Sequence, residues 1–523
     1  MISFQFSRLT EDLSAVLTTL HERRNSLAPI NRLPLDVLCL IPTHLTSLPD
    51  RLRVTFVCRH WRSIFVQHAA LWSQLYLDGI TNLLLVRTLL ERAKGAPLDI
   101  TVDYYKSTFR DLTLLTPSGR QIRSLELKKP SSYEVQDLST AISGPLPLLH
   151  TLEIDLEKYL DGYGSLVTPV LPLFEGAVNL KNFVLNLYHL PSLPRFTFPN
   201  LTTLTFSTNV HEFPVSQLLD FLEASSALQQ IRMDITTDRF REDVPPERVI
   251  VLSDVKTFSL ETATDGPGHK ITTHVSCPFA NTVELTHMLG SGGGEVPEDA
   301  YPPSISWHTI TRQYARGAVE RVVLEMTIDD YIDCSITFRS SDGAILKLRY
   351  FHGTTTEYPD TEMSLGRSLP VVFSQALRTI RDHPLLSSIK HLYIKGGGII
   401  IHDLGVATEG VGRLLGSMGP LESLTLDSCD LRPYLDAFLD TPLFPEAIQP
   451  TSFPPIKEFA IIHPMHSSRE ELYGLAIVEF ARSQEARGIR IERLKFFFTG
   501  VPSLLMDELV AFVDAVECCD KTL

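Results

Sequence analysis

The side chains best able to do chemistry lie in a few sparse groups. His269 and His274 stand five apart, and His463 and His466 three apart. A zinc site would need Cys or acid partners beside them at ligand spacing, and neither pair has any. Both pairs read as core or solvated histidines. Asp329, Asp330 and Asp333 could supply paired carboxylates for acid–base work. Three acids following a strand phrase read better as a solvated patch that could steer a basic partner. Gly290-Ser-Gly-Gly-Gly294 lacks the Lys-Ser/Thr that completes a phosphate loop, and Gly396-Gly397-Gly398 is not continued into G-x-G-x-x-G. No G-x-S-x-G elbow, H-E-x-x-H helix or kinase set is present. The seven cysteines, Cys39, Cys58, Cys277, Cys334, Cys429, Cys518 and Cys519, form no C-x-x-C pair. They read as small buried apolar residues rather than a disulfide or zinc framework, with adjacent Cys518 and Cys519 as the one redox candidate. The expectation is a chain that is not an enzyme, with no catalytic residue, no metal ligand and no cofactor.

Charge excludes further classes. A net charge of −15 disfavours nonspecific nucleic-acid binding, which needs a basic footprint, and disfavours docking on anionic lipid. No apolar stretch approaches the ~20 residues that span a bilayer. The opening MISFQFSRLTEDL carries charge too early for a signal peptide. The expected location is therefore intracellular, in cytoplasm, nucleus or both. With 44% hydrophobic and 21% charged residues the composition is that of an ordinary globular protein. At 523 residues it exceeds one ordinary core, unless a repeat array uses the length.

Two N-terminal segments precede the rest. Leu9, Leu13, Val16, Leu17 and Leu20 form one stripe and predict an amphipathic helix over 8–24, within a segment 1–29. Packing on its own domain is the expected use of that stripe; a short coiled coil with a partner is the alternative. Residues 30–78 predict three short helices. Pro34 and Asp36 suit the start of the first, which has Val37, Leu38 and Ile41 as its apolar face and ends or kinks at Pro42. Pro49 and Asp50 open a second, with Leu52, Phe56, Val57, Trp61, Ile64 and Phe65 as its apolar positions; Leu71, Trp72 and Leu75 follow. Some fifty residues cannot bury so many large apolar side chains alone. Surface should remain for a partner or the adjoining domain.

The residues that stand at fixed separations here are Leu33-Pro34, Asp36, Val37-Leu38, Ile41, Val57-Cys58-Arg59-His60-Trp61 and Leu71-Trp72. In these the stretch resembles the F-box. Together with the leucine-rich helix before it, it is similar to F-box proteins of mushroom-type (basidiomycete) fungi. Pro42 departs from the pattern, because a bulky apolar residue commonly follows Ile41. The resemblance implies binding to the small Skp-family adaptor and, through it, a cullin. It places Leu33, Pro34, Val37, Leu38, Ile41, Val57, Cys58 and Trp61 at that interface. Trp72 reads instead as a clamp between the helices.

Beyond residue 120 a phrase recurs: apolar, two variable positions, apolar, one variable, apolar. It runs from Ile122-Leu125-Leu127 through Leu149-Leu152-Ile154, Leu180-Phe183-Leu185, Leu201-Leu204-Phe206, Leu228-Ile231-Met233 and Val255-Phe258-Leu260. Later copies are Val319-Val322-Leu324, Ile389-Leu392-Ile394, Leu421-Leu424-Leu426, Ile456-Phe459-Ile461 and Ile491-Leu494-Phe496, with weaker ones at Ala280-Val283-Leu285 and Ile345-Leu348-Tyr350. Each ends in the alternation of a half-buried strand. Helical patterns at 217–222, 372–377 and 472–487 precede three of them. Residues 79–523 therefore predict an α/β domain, a parallel sheet with outer helices. It resembles an irregular leucine-rich-repeat solenoid, curved and stacked. Segments 261–310 and 351–370 break the rhythm and read as long loops. The function this implies is a substrate-recognition adaptor of a ubiquitin ligase, its repeats holding a protein substrate. The alternative is a repeat scaffold acting outside ubiquitination.

Overall fold

The computed structural model describes residues 2–45, 47–77, 82–104, 112–130, 145–155, 177–187, 198–208, 213–235, 240–241, 247–263, 268–289, 319–328, 331–353, 388–396, 418–427, 455–462, 470–497 and 503–519, with single residues between. They form two compact units that divide near residue 201.

The first unit opens on α1 (Ile2–Leu27), longer than the 8–24 read from sequence, and a 3-10 turn at Pro29–Arg32. Three short helices follow: α2 (Leu35–Thr43), α3 (Leu48–Val54) and α4 (Arg59–Phe65). α2 stops one residue beyond Pro42. A 3-10 turn at Ala69–Trp72 leads into β1 (Gln74–Leu77). Then come α5 (Leu83–Ala93), β2 (Leu98–Asp103), β3 (Ile122–Lys128), β4 (Thr151–Asp155) and β5 (Asn182–Leu187). These five strands pair in parallel, each with its chain neighbour. Leu125, Leu152 and Phe183 align across three strands, as do Leu127, Ile154 and Leu185, and all six are buried. Burying each such side chain contributes about 1.5–3 kcal/mol. The core begins earlier than the sequence phrase: Leu75 and Leu77 in β1 and Ile100 and Val102 in β2 are buried too.

The second unit carries β6 (Thr203–Thr208), α6 (Val215–Ala224), β7 (Gln230–Ile235), β8 (Thr257–Ala263), α7 (Gly268–His274) and β9 (Thr282–Leu289). Next are β10 (Val319–Ile328), β11 (Tyr331–Ser340) and β12 (Ile345–Gly353). Last are β13 (His391–Gly396), β14 (Leu421–Asp427), β15 (Ile456–Ile462), α8 (Glu470–Ala486), β16 (Ile491–Phe496), α9 (Ser503–Leu509) and β17 (Val513–Cys518). β6 through β9 pair in parallel order, and β13 through β17 do likewise.

Between those two runs the order inverts. β9 pairs with β12, β12 with β11, β11 with β10, and β10 with β13. The meander is thus inserted backwards, and β11 alone runs antiparallel among the described strands. A simple array, in which every strand pairs with its successor, does not describe this stretch. In the sheet two strands therefore separate β9 from β10 and β12 from β13, three spacings or ~14 Å at the ~4.8 Å strand spacing. That separation accords with the break in the sequence rhythm on either side of the meander. The predicted loop 261–310 proves partly regular, containing the end of β8, α7 and β9; 351–353 ends β12, and 354–370 lies outside the described residues. β11 was missed. The phrase at Ile345 is slid by two residues: Leu346 aligns with Val283 and Leu348 with Leu285, while Ile345 is only half-buried.

A backbone device repeats at the strand entrances. One carbonyl accepts two successive N–H groups of the next strand's start: His150 from Lys181 and Asn182, Thr202 from Gln229 and Gln230, Gln229 from Lys256 and Thr257, Lys256 from Asn281 and Thr282, Lys390 from Glu422 and Ser423. Asn179 and Asn200 add side-chain donors to the carbonyls of Pro147 and Val178, tying each turn to its predecessor. These bonds use backbone groups that would otherwise be left unsatisfied at the strand mouths.

Candidate functional site

The helices α2, α3 and α4 fold around two tryptophans. Trp72 is buried, donates from Nε1 to the Phe65 carbonyl at 2.9 Å, and lies under the Arg92 guanidinium of α5 at 4.8 Å. It joins α4 to α5, in accord with its reading as a clamp. Trp61 packs edge-on against Phe65 at 5.2 Å, and its Nε1 donates to Asn31 Oδ1 at 2.5 Å. The Asn31 amide donates in turn to the Asn25 carbonyl of α1 at 2.6 Å. One side chain thereby fastens the end of α1 to the core.

The second predicted helix is broken in two. Cys58 is extended, at φ −158° and ψ 171°, and its Sγ accepts from the Trp61 N–H at 3.5 Å, so it caps α4 where α3 has already ended. Arg62 Nε donates to the Thr55 carbonyl across the break. Phe56 and Val57 therefore sit in a turn. Phe56 is 69% exposed and Val57 59%, where a continuous helix predicts apolar contacts for both.

The eight residues assigned to the interface separate into two sets. Leu33, Pro34, Val37 and Val57 are exposed, and Ile41 and Cys58 are half-buried. Leu38, at 1%, and Trp61, at 7%, face the domain's own core, so they support that surface rather than form its exposed part. Leu35 and Leu40 on α2, Ile30, and Phe56 extend the exposed apolar set and escaped sequence reasoning. α2 is apolar almost throughout, so periodicity cannot say which of its residues point outward. Arg51 was also missed. Its guanidinium is buried and donates from Nη1 to the carbonyls of Leu71 and Gln74 at 3.0 and 2.8 Å. Burial pushes its pKa down. The Cys39 thiol is pushed up by burial and then by the Asp36 charge, which leaves it a poor nucleophile.

Elsewhere the singled-out residues disperse. His274 is buried and its Nδ1 meets the Arg248 carbonyl at 2.6 Å, a core histidine. Cys277 is buried, and its thiol is pushed up to about 12. His463, His466, Asp329, Asp330, Gly290–Gly294 and residues 372–377 lie outside the described residues; Asp333 sits on β11 opposite Thr327. Among the described residues no three His, Cys, Asp or Glu side chains gather as a metal site would require, and no helix is long and apolar enough to cross a membrane.

What the N-terminal domain offers is a set of exposed apolar residues on short helices and turns. A family model described as F-box-like matches residues 30–78. No curated protein matches the chain.

Proposed function

From the F-box-like domain at residues 30–78 we propose that this chain is a substrate-recognition adaptor of a Skp-cullin-F-box ubiquitin ligase. Domains of this kind generally bind Skp-type adaptors. The observation that carries the reading is the match itself, joined to an exposed apolar set of Leu33, Pro34, Val37 and Val57 on a domain whose core is already filled by Leu38, Trp61 and Trp72. The adaptor covers that set, with Leu35, Leu40 and Phe56 around it, and links the chain to a cullin. The strands beyond act as an irregular leucine-rich-repeat-like array, stacked through the recurring entrance bonds, and hold a protein substrate. The chain does no chemistry of its own. It raises the local concentration of substrate near the ubiquitin-charged enzyme.

The strands carry charges of both signs, with Lys128 paired to Glu126 and Lys347 to Glu284. The net charge of −15 favours substrates that present basic segments.

Affinity purification of the intact chain beside a Leu33→Ala/Pro34→Ala variant tests the reading. The Skp-family adaptor and cullin should copurify with the parent and be lost from the variant, while substrate-side partners remain and leave with added salt. A folded parent that captures no adaptor overturns the ligase role.

A further inference from the structure

The stripe of α1 expected to pack on its own domain stands exposed instead: Leu9, Leu13, Val16, Leu17 and Leu20 are each between 48% and 62% exposed. It is plain apolar surface. The exposed pair Phe56 and Val57, at the break between α3 and α4, differs because a charge is built into it. The Arg62 guanidinium lies over the Phe56 ring, 5.3 Å from its centroid, and its Nε is committed to the Thr55 carbonyl at 3.0 Å. Two contacts from the turn thus hold an exposed side chain, with both Nη groups left over. The other exposed arginines of α3 and α4 are already paired, Arg53 with Asp50 at 2.6 Å and Arg59 with Glu22 at 2.9 Å. Among the described residues no acid pairs with Arg62. Residues 30–78 hold five arginines against three aspartates, with no lysine or glutamate, inside a chain whose net charge is −15.

We propose that the Skp-family adaptor presents an aspartate or glutamate to Arg62, beside the apolar surface that covers Phe56 and Val57. This rests on the adaptor reading above and adds the chemistry of the surface that meets it. Desolvation requires the acid. A partner that covers a phenyl ring 69% exposed also covers the guanidinium lying on it, since the ring and the Thr55 carbonyl hold Arg62 in place. A charge taken out of water without a counter-charge is costly, and the gain from burying Phe56 would be lost to it. Neutral carbonyls would satisfy the hydrogen bonds but not the charge. A carboxylate does both, because its two oxygens match the parallel N–H groups of the two Nη atoms. Pre-positioning adds to the fit. A guanidinium already stacked and bonded loses little rotamer freedom when the partner arrives. Such a pair lies inside the contact rather than at its rim, so it governs how long the complex lasts more than how fast it forms.

Binding kinetics of the full chain on an immobilised, purified Skp-family adaptor test this. Arg62→Gln should dissociate about 30-fold faster than the parent, with an association rate within about threefold of it. Arg62→Lys should recover only part of the loss, since an ammonium cannot form the fork. Arg87→Gln, which removes an exposed cation of α5, should leave both rates unchanged. From the adaptor's side, single Asp→Asn and Glu→Gln changes should include one that speeds dissociation of the parent as much as Arg62→Gln does and adds nothing to the Arg62→Gln loss. That arm leaves this chain untouched, so it decides the matter even where Arg62→Gln fails to fold. A parent that binds while no adaptor acid alters dissociation by more than about threefold overturns the carboxylate and leaves the ligase role standing. So does an Arg62→Gln chain that matches the parent or loses only in association rate. A parent that binds no adaptor overturns both.

Discussion

Leu38 and Val57 are both apolar, both in the F-box-like stretch, and 1% and 59% exposed. That contrast predicts opposite behaviour. Leu38→Ala should lower stability by about 2–5 kcal/mol, the cost of an unfilled core position. Val57→Ala should stay within about 0.5 kcal/mol and weaken adaptor capture instead. Denaturant melts followed by tryptophan fluorescence in a Trp307→Phe background separate them, since Trp61 and Trp72 both report on this core. Equal losses of stability would put Val57 inside. Asn31→Ala should cost about 1 kcal/mol, because it leaves the Trp61 indole N–H without its acceptor. Sequence spacing finds the tryptophans readily. It does not find Asn31 or Arg51, whose importance comes from carbonyl and indole partners that lie six to thirty residues away in the chain.

At the level of elements, the strand phrase is legible because period-two burial leaves a mark every time. Leu204, Ile231, Phe258 and Val283 align on four successive strands, each with a second buried residue two positions on. The polar side of those strands carries a cost. The Asp234 and Glu261 carboxyls align on neighbouring strands, and burial holds both above the ordinary range. For Glu261 the Asp234 charge adds to that, against Arg232 and Arg349. A carboxyl raised in the folded state binds its proton more tightly there than in the unfolded chain. Stability therefore falls as pH climbs from the ordinary glutamate value of 4.5 through the folded one, and stays lowered above it. Glu261→Gln should melt higher than the parent at pH 7, with the gap closing near pH 4. A variant that melts lower at pH 7 would mean that the ionised carboxylate is net favourable there. Register is the element-level feature that sequence misjudged. Ile345, Leu346 and Leu348 form an apolar run that fits two frames, and only pairing with β9 selects between them.

For the whole molecule, two compact units imply two cores that need not unfold together. Trp61 and Trp72 belong to the first, while Trp307 and most of the strand content belong to the second. In a Trp307→Phe background, unfolding followed by tryptophan fluorescence should not coincide with unfolding followed by circular dichroism, and Leu424→Ala in β14 should shift the second and spare the first. Coincident curves would make the chain one cooperative body. The sequence by itself determined the F-box-like stretch, the α/β class and the parallel strands between β3 and β16, though not β1, β2 or β17, because those readings depend on residue types at short, fixed spacing. Tertiary structure alone decided three things. It inverted the meander, since strand order is a matter of which edges meet and not of local pattern. It turned Leu38 and Trp61 inward and Phe56 and Val57 outward, since one extended residue at Cys58 resets the faces of two helices. And it left the stripe of α1 exposed, with the Glu22–Arg59 pair and the Asn31–Asn25 bond holding the helix at its C-terminal end.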